Sequence, residues 1–255
     1  MVIIGAGRVG TALQLAAESH DMPCALVSRT EGWEALGGPP GGPVMLATRN
    51  DDLDSVVERI PPHRQADLVF VQNGMLQPWV RGRGLQGCTR GLLFFAATAR
   101  NEPHQPGQSS PFSGPRASVV VHWLLSVGVA AHEVDWPRFK AWELEKLIWI
   151  AAFGVLCQAH ECDVQTVVHD HTEQLDALVD ELRQLGRSGM NVDVPQEWLV
   201  QRLSAYSLTI PTYRGSVKEW AWRNGWFVDV AKRRGKSSPV HDALLREIGL
   251  GDKLV

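Results

Sequence analysis

Val2-Ile3-Ile4-Gly5-Ala6-Gly7-Arg8-Val9-Gly10 opens the chain and decides how it folds. Three apolar residues read as a buried strand. They run straight into a G-x-G-x-x-G spacing, and the helix-forming Thr11-Ala12-Leu13-Gln14-Leu15-Ala16-Ala17 follows at once. Strand, glycine turn and helix in that order are the context a dinucleotide-binding fingerprint requires. Gly5 permits the tight turn, Gly7 lets the backbone approach a pyrophosphate, and Gly10 brings helix and strand close together. The pyrophosphate then rests on the helix N-terminus, where unpaired N–H groups and the macrodipole favour an anion. Gly5, Ala6, Gly7, Arg8, Val9 and Gly10 are the expected phosphate cradle.

Outward from this stretch the chain alternates. Cys24-Ala25-Leu26-Val27 reads as a second strand ending at Ser28-Arg29-Thr30, the position that chooses between nicotinamide cofactors. An acidic residue there suits the ribose 2′-hydroxyl of NAD, whereas an arginine accommodates the 2′-phosphate of NADP. A hydroxyl and a guanidinium with its permanent charge and fork of donors favour NADP (as NADPH), with Ser28 and Arg29 as its ligands. Further strands are expected over 44–48, 67–71, 91–97 and 129–133, with helices over 53–60 and 118–127 and the Asp51-Asp52 pair as a helix cap. Ligands in open α/β sheets bind outside the carboxyl ends of strands, which makes Arg49 and Asn73 candidates for the cofactor site. Residues 101–116, rich in Pro, Gly and Ser, read as a mobile loop.

The period then changes. Residues 136–160 repeat apolar positions at helical spacing with no proline after Pro137, and helical segments are expected over 172–186, 195–206 and 216–234. The predicted fold class is α/β: an N-terminal Rossmann doubly wound parallel sheet, residues 1–134, with a smaller all-α C-terminal domain, residues 135–255. Seven of the ten tryptophans lie after residue 135, so the second half is expected to bury large rings or line a pocket with them.

At 255 residues, 44% hydrophobic and 21% charged with a net charge of −3, the composition is that of a globular protein and offers no nucleic-acid surface. The longest apolar run, 147–157, is too short to span a membrane. Cys24, Cys88, Cys157 and Cys162 form no C-x-x-C pair, and His160, His169 and His171 have no acidic partner at ligand spacing, so no metal is expected. The first strand begins at residue 2 without a charged leader, which points to the cytoplasm, or to an organelle if a leader precedes this numbering.

The residues resemble the ketopantoate reductases (2-dehydropantoate 2-reductases), within the group whose second domain is like that of 6-phosphogluconate dehydrogenase. Gln72-Asn73-Gly74-Met75 is similar to the family's Asn-Gly-Met segment, and Glu145-Lys146-Leu147 lies early in the long helix where the family has a Lys-Leu pair. Glu219-Trp220-Ala221-Trp222-Arg223-Asn224-Gly225 resembles the family's Glu-Ile-Asp-x-x-Asn-Gly, with Gly235, Pro239 and a helix over 244–248 following at family spacing. Ser207 lies twelve residues before Glu219, where the family places a substrate-binding serine. There are departures. The family's asparagines four and eight residues after the lysine are Ile150 and Gly154 here, its aspartate is Ala221, and the Met and Asp that follow its serine are Leu208 and Pro211. Positions four and eight residues on share the lysine's helix face, so the pocket below Lys146 should be more apolar than in a true ketopantoate reductase.

What the resemblance implies is reduction of a 2-oxo acid or similar small carbonyl compound with NADPH. Lys146 is then the general acid, its pKa lowered by an apolar face and another cation. Glu219 pairs with it or holds a substrate hydroxyl, Asn73 lies between nicotinamide and substrate, and Ser207 anchors the substrate's far end. The partner is a small molecule, and a homodimer is one assembly left open. Two other readings stay open: a protein that binds NADP(H) without catalysis, as sensor or scaffold, and a related imine or opine-type dehydrogenase.

Overall fold

β1 (Val2–Ile4), β2 (Ala25–Val27), β3 (Val44–Leu46), β4 (Leu68–Phe70) and β5 (Thr89–Gly91) form a parallel array. β6 (Ser110–Ser113) joins it antiparallel to β5, and β7 (Ala131–Glu133) runs parallel to β6, giving seven strands in the order β2-β1-β3-β4-β5-β6-β7. β3 and β4 are buried throughout and show no polar alternation, as a sheet covered on both faces demands. The covering helices are α1 (Arg8–Ser19), α2 (Leu53–Val57), α3 (Gln77–Gly82) and α4 (Ala117–Ser126). Ile3, Met45, Val69 and Phe112 pack with Leu13 and Ala17 of α1 and Val120 and Leu124 of α4 in one core. From β1 the chain passes to β2 on one side and then crosses to β3 on the other. The topological switch point therefore lies between β1 and β3.

The computed structural model describes residues 1–97, 99–195 and 198–254, and two compact units divide it, Met1–Phe139 and Lys140–Val255. The sheet belongs to the first. The second is built on α5 (Trp136–Ala159), followed by α6 (Val164–Asp170), α7 (Thr172–Met190), α8 (Leu199–Leu208), α9 (Asn224–Arg234) and α10 (Pro239–Glu247). α5 buries Leu144, Leu147, Ile148, Ala151, Ala152, Val155 and Leu156 on one half and Phe153 and Cys157 on the other, so it is a core helix. α7 buries the narrower stripe Leu175, Leu178, Val179, Leu182 and Leu185. Among the described residues no single helix is long and apolar enough to cross a membrane; α5 and α6 pass only as a pair, bent by 84°.

Five local expectations need correction. The segment over 101–116 is not all loop, because Ser110, Pro111, Phe112 and Ser113 are buried as β6. The strand expected over 91–97 ends at Gly91 and begins at Thr89, which is wholly buried with Arg90 nearly so. Asp52 precedes α2 with helical φ and ψ, and its side chain makes no cap hydrogen bond. Of the helix expected over 195–206, residues 196 and 197 lie outside the described residues and the helix runs Leu199–Leu208. The helix expected over 216–234 starts at Asn224, because Glu219 takes a left-handed φ of 46° and ψ of 54° and a 3-10 turn, Trp220–Trp222, intervenes.

Candidate active site

The first unit holds a cleft of about 760 Å³ at the carboxyl ends of β1, β2 and β3, against the switch point. Gly5, Ala6 and Gly7 line it from β1, Val27, Ser28 and Arg29 from β2, and Ala47, Thr48 and Arg49 from β3. Gly5 has φ +121°, and a Cβ there would lie 2.7 Å from the Ala47 carbonyl oxygen. Arg8 and Val9 form the first turn of α1, and Gly10 is buried behind the turn, where a Cβ would collide with the Gly5 carbonyl. Gly7 is the exception: a Cβ would meet nothing within 4 Å. It caps α1 with no side-chain hydrogen bond, so the first-turn N–H groups have no side-chain acceptor of the kind that normally fills this position.

The rest of the cleft is basic. Arg29, Arg49, Arg59 and Arg100 line it against the single carboxylate of Asp52, a balance that suits a polyanion. Arg59 stacks on the Trp33 ring at 3.6 Å and donates to the Arg29 carbonyl at 2.9 Å, while Trp33 Nε1 donates to the Ser28 carbonyl at 2.9 Å. Arg100 Nε donates to the Ala6 carbonyl at 2.7 Å. Thr48 Oγ1 is buried with no hydrogen-bond partner, an orphan that a ligand hydroxyl or phosphate would satisfy. These features fit a dinucleotide. Arg49 followed from the strand-end rule; Thr48, Trp33, Arg59 and Arg100 were not singled out, since nothing near them in sequence marks a fold that brings residue 100 to residue 6. Asn73 is exposed after β4, its carbonyl accepting from Asn50 Nδ2 at 2.9 Å.

The second unit gathers a different group. Lys146 sits on α5 with its side chain only partly open to solvent, and burial pushes its pKa down to about 7, with repulsion from the Arg223 guanidinium the second cause. Arg223 Nη2 donates to Glu219 Oε2, while its buried Nε–H has no hydrogen-bond partner. Asn224 holds the start of α9 to α5, its Nδ2 donating to the Ala151 carbonyl at 3.2 Å. Lys146, Glu219 and Arg223 are thus brought together, and the arginine is the member that sequence reading did not single out. Ser207 is wholly buried on α8; its hydroxyl donates to the Leu203 carbonyl at 2.9 Å and accepts from Trp149 Nε1 at 2.9 Å.

Fold and site define a two-unit protein, a Rossmann-type sheet with a basic, glycine-walled cleft and a helical unit carrying a lysine of depressed pKa. Residues 138–250 match the family model described as ketopantoate reductase PanE/ApbA C terminal. Most of the second unit is thus similar to the C-terminal domain of the ketopantoate reductases. In fold the chain is similar to a dimeric ketopantoate reductase from Staphylococcus aureus, with TM-score 0.75 and 13% identity over 99% of this chain and 98% of that one. It is similar also to a PanE/ApbA family ketopantoate reductase from Ralstonia eutropha JMP134 (TM-score 0.76, 15% identity, 100% and 99% covered). D-mandelate dehydrogenase in complex with NADH is a third (TM-score 0.76, 14% identity, 100% and 99% covered). Comparison by sequence with curated proteins finds no match.

Proposed function

We propose that the protein reduces a 2-oxo acid or similar small carbonyl compound with NADPH, and that Lys146 is the general acid. The carrying observation is the Lys146 ammonium, desolvated on α5 beside the Arg223 guanidinium, with a pKa of about 7. NADPH when bound supplies the hydride. The cradle of Gly5, Ala6, Gly7, Arg8, Val9 and Gly10 holds its pyrophosphate, and Ser28, Arg29 and Arg49 hold its adenosine end, with Asn73 towards the nicotinamide. Lys146 Nζ holds the proton and delivers it to the carbonyl oxygen as negative charge develops there. Glu219 fixes Arg223, whose unsatisfied Nε–H suits the carboxylate of an anionic substrate. Ser207 acts through Trp149 as a positioning residue, since its hydroxyl is committed inside the protein.

The pH dependence tests this. A lysine acid must be protonated, so kcat for reduction should be level below about pH 7 and fall about tenfold per pH unit above it. Absorbance assays with saturating NADPH and a slow substrate across pH 5.5–9.5 read the profile. A rate independent of pH up to 9 removes Lys146 from the role.

Cofactor choice is tested by Arg29→Ala. Losing one guanidinium from a phosphate should raise the Kd for NADPH by roughly 10–100-fold and leave that for NADH nearly unchanged. Calorimetry with both cofactors decides, and equal losses for the two would mean that Arg29 does not read the 2′-phosphate.

A further inference from the structure

The aromatic face beside Lys146 bears on which acid is reduced. We infer that this site takes a 2-oxo acid with an apolar side chain, branched or aromatic, in preference to one carrying a hydroxyl on that chain. The inference rests on the reductase reading and narrows its substrate.

On α5 the residues three and four after Lys146 share its face, and they are Trp149 and Ile150, both partly open to solvent. Trp149 is fixed on several sides. Its indole N–H is held by the Ser207 hydroxyl at 2.9 Å, Tyr206 meets it edge-on with ring centroids 4.9 Å apart, and Tyr213 stacks on it at 6.0 Å with planes 26° apart. Tyr213 is 46% exposed, so this aromatic wall is reached from solvent rather than sealed in the core.

The position eight residues after Lys146 is closed by backbone. A Cβ on Gly154 would lie 3.2 Å from the Ser216 carbonyl oxygen, and one on Gly215 would lie 2.7 Å from the Phe153 carbonyl oxygen. The segment over 211–217 is a strap laid along α5. It is pinned where Val164 N donates to the Tyr213 carbonyl at 2.9 Å, Gln165 N to the Pro211 carbonyl at 3.2 Å and Val217 N to Gln158 Oε1 at 3.0 Å. The helix face next to the lysine therefore carries an isoleucine and an indole backed by a phenol ring, and the strap lies across the position one turn further on. An apolar or flat side chain gains ring contact there. A side chain bearing a hydroxyl must give up water to enter, and the serine hydroxyl at this place is wholly buried and bonded to Leu203 and Trp149.

The experiment uses the full chain and a matched pair, 3,3-dimethyl-2-oxobutanoate and its 4-hydroxy derivative, which differ by one hydroxyl, with oxo(phenyl)acetate and pyruvate alongside. The expected result is a kcat/KM about tenfold higher for the acid without the hydroxyl, and about 10–100-fold higher for the phenyl acid than for pyruvate. Trp149→Ala should collapse the phenyl-to-pyruvate ratio. Tyr213→Ala, on the exposed strap, should lower it less and serves if the tryptophan variant does not fold. Quenching of tryptophan fluorescence by anilino(oxo)acetate, an unreducible aryl analogue, should diminish in Trp149→Phe. Equal or better use of the hydroxylated acid, with pyruvate matching the phenyl acid, overturns the inference and leaves the reductase reading standing. Oxidation of NADPH by none of the four acids, with NADPH still bound, overturns both.

Discussion

Lys146→Met should lower turnover of any carbonyl substrate by about 10³-fold, the usual contribution of a positioned general acid, while NADPH binds with nearly unchanged Kd. The same variant should be more stable than the wild type. A lysine whose folded-state pKa is depressed from 10.5 to about 7 resists protonation in the native state. Its ordinary value in the unfolded chain means that folding is penalised wherever the free amine would be charged. The penalty is full below about pH 7 and fades as pH rises towards 10.5. Each unit of depression corresponds to about 1.4 kcal/mol, but the side chain keeps some solvent contact, so a gain of about 2 kcal/mol is expected near neutrality. Thermal unfolding at pH 6 and at pH 9.5, with NADPH titrations alongside, reads all of it: methionine should stabilise at the lower pH and much less at the higher. Loss of cofactor affinity together with turnover would show that the residue supports the fold or the cofactor instead of the chemistry.

The second large effect concerns Gly7. Gly7→Asp should weaken NADPH binding by roughly 100-fold or more, because a carboxylate at the mouth of the α1 N-terminus meets the pyrophosphate with like charge, at a cost of several kcal/mol. Stability should not fall. The residue has φ −87° and ψ −168°, which any side chain adopts, and a Cβ there touches nothing within 4 Å. Aspartate is also a favoured helix N-cap, so the melting temperature should hold or rise slightly. Gly10→Ala provides the contrast, since its Cβ drives into the Gly5 carbonyl and should cost the fold itself. A Gly7→Asp protein that melts as the wild type and still binds NADPH tightly would remove the phosphate from this end of the cleft.

The Rossmann sheet was legible because its signals are local and periodic. Val2-Ile3-Ile4 before a glycine turn, Val44-Met45-Leu46 and Leu68-Val69-Phe70 are apolar runs that have no stable place except a strand covered on both faces. β6 was not legible, since Ser110-Pro111-Phe112-Ser113 has the composition of a loop and becomes a strand only by pairing with β5 and β7 on either side. The start of α9 was misjudged for a related reason. Nothing in Lys218-Glu219-Trp220 marks a left-handed residue, and the turn is set by packing around Asn224 and α5.

For the candidate site the division is similar. Gly7 and Arg29 can be named from the chain itself, because a fingerprint turn and the end of the next strand carry their meaning within a few residues, whereas Lys146 and Glu219 are named only through the resemblance to the ketopantoate reductases. Arg223 beside Lys146, Arg59 on Trp33, Arg100 at Ala6 and the capture of the Ser207 hydroxyl by Trp149 were decided by the tertiary structure alone. Each joins groups that lie far apart along the chain or on separate elements. Whether a hydroxyl is offered to a ligand or used up inside the protein, and whether an ammonium keeps its proton at neutral pH, depends on which atoms crowd it in space and on how much water they exclude.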